Sequence, residues 1–176
     1  MTPIRFTPTT VPERGRLEEG RIVTVQRQLS DGFALDDDRA RIDREAIHAF
    51  LAGSYWAAGR ERSVMDALVE SAARVVGLYA PDGSQVGFAR VVSDTHTVSY
   101  LADVYVLEDH RGRGFGLELV RFTVDVEPLA WTKWLLHTRD MHHLYAKLGF
   151  VNPDARTMER GRREPRDTIE ASGLPG

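Results

Sequence analysis

Three stretches of this chain carry apolar residues at strand spacing: Arg74 to Ala80, Gln85 to Val92 and Thr97 to Val106. They are separated only by the turn-forming Pro81-Asp82-Gly83-Ser84 and Ser93-Asp94-Thr95. Short connections of that kind predict hairpins, hence antiparallel strands. Strict alternation along the third strand would put Val98, Tyr100, Ala102, Val104 and Val106 on one face and Ser99, Leu101, Asp103 and Tyr105 on the other. Upstream, Ile22 to Gln28 and Phe33-Ala34-Leu35 predict two further strands. The period then becomes helical: Asp43 reads as an N-cap with Ile42 and Ile47 as the N′ and N4 residues of a hydrophobic staple. Ser63 and Asp66 begin a second helix whose Met65, Leu68, Val69 and Ala72 share a face.

Downstream, Leu117 to Glu127 carries two periods at once. Phe122 to Val126 alternates like a strand, whereas Glu118, Arg121 and Asp125 form a helical polar stripe that Pro128 terminates. Helix is the expectation. The strand Lys133 to Thr138 returns through this crossover, so it should run parallel to the strand ending at Val106. A last helix is expected from Asp140 as N-cap, through Met141, Leu144 and Leu148 on one face, to Gly149 at C′.

Composition narrows the function. With 176 residues, 42% hydrophobic, the chain can bury one substantial core. The expected organisation is one domain over 21–160, flanked by mobile arms at 1–20 and 161–176. A net charge of −3 argues against a general nucleic-acid coat, and the cluster Arg160, Arg162, Arg163 and Arg166 reads as a solvated tail. The absence of cysteine excludes disulfides, a thiol nucleophile and thiolate metal ligands. His142 and His143 are adjacent and point about 100° apart on a helix, and no HxxxH or HExxH spacing occurs, so no metal site is expected. No apolar run reaches the roughly 20 residues of a membrane span, and Pro3, Pro8 and Pro12 interrupt any signal-peptide core, so a cytoplasmic protein without membrane contact is expected.

The chemistry concentrates in Arg111-Gly112-Arg113-Gly114-Phe115-Gly116, between a strand and a helix. Glycine permits positive φ and close approach of backbone to ligand, and a helix N-terminus attracts anions. A Walker loop would need GxxxxGK[ST], which the chain lacks. A dinucleotide GxGxxG fails too, because the sixth position is Leu117 counted from Gly112 and Leu119 counted from Gly114. What remains is RxxGxG, a phosphate-binding pattern or a plain surface turn with two solvated arginines. A second segment, Tyr145-Ala146-Lys147-Leu148-Gly149-Phe150, follows at the end of the last helix. Loop and helix end together, in this order, resemble the GNAT superfamily of N-acetyltransferases over roughly Phe33 to Arg160. Tyr55-Trp56 within Ser54 to Ala57, with Thr138-Arg139-Asp140, is similar to a bacterial subgroup of it.

That resemblance implies an α/β (α+β) fold: a mixed, mostly antiparallel sheet flanked by helices and splayed where acyl-CoA binds. It implies an acetyltransferase that uses acetyl-CoA and no metal. The acceptor it implies is a small-molecule primary amine, amino-acid-like if Arg60 pairs with a carboxylate. A peptide or protein amine is the runner-up, and an acyl-CoA-binding module without turnover the alternative from another class. Homodimers are common in the family. The resemblance assigns acyl-CoA contacts to the backbone of Val104, Tyr105 and Val106 and to Arg111, Gly112, Arg113, Gly114, Phe115 and Gly116. Many relatives have proline where this chain has Glu108, and asparagine where it has Thr138, leaving Thr138, Asp140 or His142 to substitute. Tyr145 takes the position of the family's general acid, against the alternative of a tyrosine merely packed on its helix. Asp103 fits an amine-attracting role, against the alternative of a carboxylate paired with an arginine such as Arg90. Tyr55, Trp56 and Arg60 would wall the acceptor site, unless the two aromatics close the core beneath the first helices.

Overall fold

The computed structural model describes residues 24–160. The expected arms at 1–20 and 161–176, the start of the strand expected from Ile22, and Arg162, Arg163 and Arg166 lie outside the described residues. One sheet organises the rest, with strands in chain order: β1 (Gln26–Gln28), β2 (Ala34–Asp36), β3 (Arg74–Tyr79), β4 (Gln85–Ser93), β5 (Val98–Val106) and β6 (Lys133–Leu136). Every neighbouring pair is antiparallel except β5 and β6, which the crossover makes parallel. Helices α1 (Arg44–Ala52) and α2 (Arg62–Ser71) cover one face, α3 (Phe115–Asp125) the other, and α4 (His142–Ala146) follows β6.

Local chemistry explains most boundaries. The Asp43 carboxylate accepts the Ala46 N–H at 3.0 Å, and Ile42 and Ile47 are buried in one cluster, as the staple requires. The second helix starts at Arg62, with Glu61 at the N-cap position, one residue ahead of the expected Ser63. Helix wins over strand at Leu117 to Glu127 because α3 is pressed flat on the sheet. Phe122, Thr123 and Val124 are all buried, which mimics alternation only in part, while Glu118 and Arg121 pair at 2.5 Å on the outer side. Buried Arg74 donates to the carbonyls of Thr123 (3.2 Å), Val126 (2.7 Å) and Glu127 (2.5 Å), satisfying the end of that helix. At α4 the N-cap is Met141 rather than Asp140: the Thr138 hydroxyl accepts the Met141 N–H at 3.0 Å and defines the entry. Gly149, at φ 84°, closes the helix as expected, with Gly149 N–H to Ala146 O at 3.2 Å and Phe150 N–H to Tyr145 O at 3.2 Å.

The alternation expected for the third long strand breaks at Asp103. Phe88 pairs with Tyr105 but Arg90 pairs with Ala102, so β5 carries one more residue than β4 across this interval, and Asp103 takes φ 51°. A bulge of one residue reverses the parity of everything after it. Leu101 therefore packs with Val104 and Val106 against the α3 side, while Tyr105 enters the cluster formed by α1 and α2. Leu101 and Tyr105, expected on one face, belong to opposite faces.

Candidate active site

The parallel pair does not run the length of the sheet. Val98 to Leu101 pair with Lys133 to Leu136, and there β6 ends while β5 continues to Val106. Into that divergence opens a cavity of about 1600 Å³, lined at one end by the glycine loop and at the other by residues of the α1–α2 link.

The loop end is made of backbone. Gly112 and Gly114 adopt φ 76° and 83°, a region that L side chains rarely take, and no neighbouring atom would obstruct a Cβ at either. Backbone conformation, rather than space, therefore requires glycine there. Leu117 and Glu118 N–H bond to the Gly114 carbonyl at 3.0 and 3.2 Å. Among the described residues the N–H groups from Gly112 to Gly116 have no backbone acceptor, so they are offered to the cavity mouth at the positive end of α3. The arginines divide. Arg111 lines the cavity and anchors its Nε on the Val106 carbonyl at 2.9 Å. Arg113 is not among the lining residues: it pairs with Asp31 at 2.7 Å and lies over the Phe33 and Phe115 rings, each at 4.7 Å. Phe115 and Gly116 line the cavity, as do Val104, Tyr105 and Val106.

On the opposite wall, α4 brings Tyr145 to the cavity. Burial first, then the neighbouring Tyr55 and Asp140, push its phenol up to about 12, so it holds its proton through the neutral range. Thr138 and Asp140 line the same wall. His142 does not; His143 does, together with Lys147 one turn later. Adjacent helical positions diverge by about 100°, so only one of the two histidines can face the cavity.

The far end is built from side chains. Asp103, delivered by the bulge, is 4% exposed and accepts from Arg90 Nε at 2.8 Å and from Arg60 at 3.2 Å on each oxygen. Tyr55 and Trp56 are 55% and 41% exposed and line the cavity rather than close the core; Phe50, stacked on Tyr105 at 3.9 Å, does the latter. Arg139 crosses from the loop before α4 to lie 3.9 Å over the Tyr55 ring. Tyr100 and His137, also lining the cavity, join at 2.7 Å, and His137 reaches Glu159 at 3.4 Å. The sequence does not point to Arg90, Arg139, Tyr100 or His137 as site residues. Arg90 carries a signal only as a cross-strand partner for Asp103, and Arg139 only as part of the segment Thr138-Arg139-Asp140. No group of three or more potential metal ligands occurs among the described residues, and none of their helices is long and apolar enough to cross a membrane.

Residues 67–152 match the acetyltransferase (GNAT) domain family. A GNAT-family protein from Xanthomonas campestris pv. campestris, known by crystal structure, is 34% identical, with 77% of this chain and 97% of that chain aligned at a TM-score of 0.69. A Gibberella zeae protein provisionally named an acetyltransferase is 29% identical over 152 residues, 72% of this chain and 82% of its own length. A GNAT family acetyltransferase from Elizabethkingia anophelis, solved with acetyl-CoA bound, shares the fold at 14% identity and a TM-score of 0.54, over 71% of this chain and 80% of that one.

Proposed function

The chain belongs to the GNAT family of acetyltransferases, and from that premise we propose that it transfers the acetyl group of acetyl-CoA to the primary amine of a small molecule. The observation that carries this reading is the splayed β5–β6 pair with an unpaired N–H cradle at its mouth. An anionic pyrophosphate suits the N–H groups of Gly112 to Gly116, with Arg111 adding charge. The freed edge of β5 over Val104 to Val106 suits the pantetheine arm and the thioester carbonyl, whose developing oxyanion a main-chain N–H can stabilise. A cavity of this volume accommodates a small acceptor beyond the thioester.

In this reading the neutral amine nitrogen attacks the thioester carbonyl carbon, the C–S bond breaks as the departing sulfur takes a proton from Tyr145, and the proton shed by the acylated nitrogen passes to solvent, which reprotonates the phenolate. The raised phenol supports a donor role, since it stays protonated across the working range. Thr138, whose hydroxyl already accepts the Met141 N–H, has its second lone pair and its own proton for the pantetheine amide. Of the residues expected to contact acyl-CoA, Arg113 and His142 lie off the cavity lining, whereas His143 lies on it. Asp103 is a positioning residue, because both of its oxygens are engaged by guanidiniums. Tyr55 and Trp56 wall the acceptor.

Calorimetric titration of the purified chain with acetyl-CoA tests the premise of this function. Micromolar binding that weakens at least roughly tenfold in Arg111→Ala, as loss of a charge-assisted contact requires, is the expected result. Absence of binding with acetyl-CoA and with longer acyl-CoAs overturns it.

A further inference from the structure

The acceptor end of the cavity holds an electrostatic imbalance. Asp103 is one carboxylate shared by two guanidiniums, and no other described carboxylate lies within ion-pair distance of Arg60 or Arg90. One positive charge is therefore uncompensated in a poorly solvated place: the Arg90 side chain is 8% exposed, and that of Arg60 21%. Only Nε of Arg90 is engaged; among the described residues its two terminal nitrogens donate no hydrogen bond, although the residue lines the cavity. Those terminal nitrogens open onto the cavity and present a free fork to an anion that enters it. Arg90 sits on β4 in the middle of the sheet, where it cannot swing out to water as a surface arginine does.

We infer that Arg60 and Arg90, held in place by Asp103, receive the carboxylate of the acceptor, so that the acceptor is an amino-carboxylate. This rests on the acetyl-transfer reading and deepens it. A planar guanidinium fork matches a carboxylate in two-point contact. Arg139, over Tyr55 at the cavity rim, lies 3.9 Å from Asp140 and so leaves the net positive charge with Arg60 and Arg90. The same imbalance works against an ammonium that brings no anion of its own, since it would meet a wall of net positive charge. The bulge gives the arrangement its geometry: without it, Asp103 would fall on the face away from Arg90.

The test uses the full chain, acetyl-CoA and free-thiol release, with matched triplets. Each triplet is an amino acid, its amide and its decarboxylated amine, drawn from α-, β- and γ-amino acids. At least one amino-carboxylate should exceed its own amide and amine by roughly 30-fold or more in kcat/KM, the loss expected when a buried charge pair is truncated. Arg90→Gln should raise KM for that acid by roughly 30-fold or more, leave kcat within a few-fold, and leave the calorimetric affinity for acetyl-CoA unchanged. If Arg90→Gln shows no cooperative melting, Arg60→Gln is read in its place with the same expectation. Amides or plain amines used as well as the acids, or an aminoalkyl phosphonate used better than its matching carboxylate, overturns the inference while acetyl-CoA binding persists. It is likewise overturned if no acid in the panel is turned over and none shifts the melting temperature at millimolar concentration. Loss of acetyl-CoA binding in the unaltered chain marks failure of the underlying function instead.

Discussion

The two ends of the cavity are built in opposite ways. The loop end is backbone: glycines at positive φ, free N–H groups and the start of α3, all within one short run of sequence. The acceptor end is side chains from separated segments: Trp56 and Arg60 from the α1–α2 link, Arg90 from β4, Asp103 from the bulge, Arg139 from the loop before α4. A backbone site recognises what every family member shares and tolerates drift in its surroundings. A side-chain site can be rewritten one residue at a time. On the acetyl-transfer reading, the contrast separates where a cosubstrate and an acceptor would each be encoded.

Tyr145 stands between the ends, and removing its hydroxyl should produce the largest effect. Tyr145→Phe should lower kcat by roughly 100-fold or more, the usual contribution of a positioned acid, with acetyl-CoA affinity unchanged in calorimetry. Because burial holds the phenol near 12, rising pH should not remove the proton donor up to about pH 10. A rate that falls with an alkaline pKa near 10 in the unaltered chain but not in the variant would show an unshifted tyrosine. Next, Gly114→Ala should weaken acetyl-CoA roughly 5- to 30-fold, reflecting the cost of left-handed backbone for an L side chain. KM for the acceptor should not change, which assigns that residue wholly to the loop end. Trp56→Ala should do the reverse, raising acceptor KM roughly 5- to 10-fold through lost apolar contact, with the acetyl-CoA titration unaltered. Equal effects on both substrates would dissolve the distinction. The smallest effect is expected for Arg113→Ala. Its guanidinium is held by Asp31, Phe33 and Phe115, so acetyl-CoA affinity should stay within about threefold, in contrast to Arg111→Ala.

The same contrast governs what can be read from sequence. The hairpins, the parallel return of β6 and the glycine loop follow from local patterns, and each is legible in the residues that make it. Gly149 is legible for the same reason, since the closing motif of a helix is written in adjacent positions. The bulge is not, because β5 alternates perfectly on paper. The extra residue exists only relative to the register of β4. From that single omission follow the misplaced faces of Leu101 and Tyr105. Proximity to a motif suggests Arg113 and His142 as site residues, whereas Arg113 pairs with Asp31 and His142 lies off the cavity lining. Such partners lie far away in sequence or depend on helical phase, and neither is contained in the motif itself.

The bulge also has a genetic meaning. Between Ala102 and Val104 the reading of inside and outside depends on a count of one. Losing the codon for Asp103 would straighten the strand and leave Val104 to Val106 on their faces, but would take from the cavity the carboxylate that holds Arg60 and Arg90. The same loss in the turn Pro81 to Ser84, where Gly83 projects into open space, would only shorten a hairpin. Heritable variation in this lineage is thus expected to keep both the extra residue of β5 and its carboxylate, and to spend insertions and deletions at the tips of the sheet.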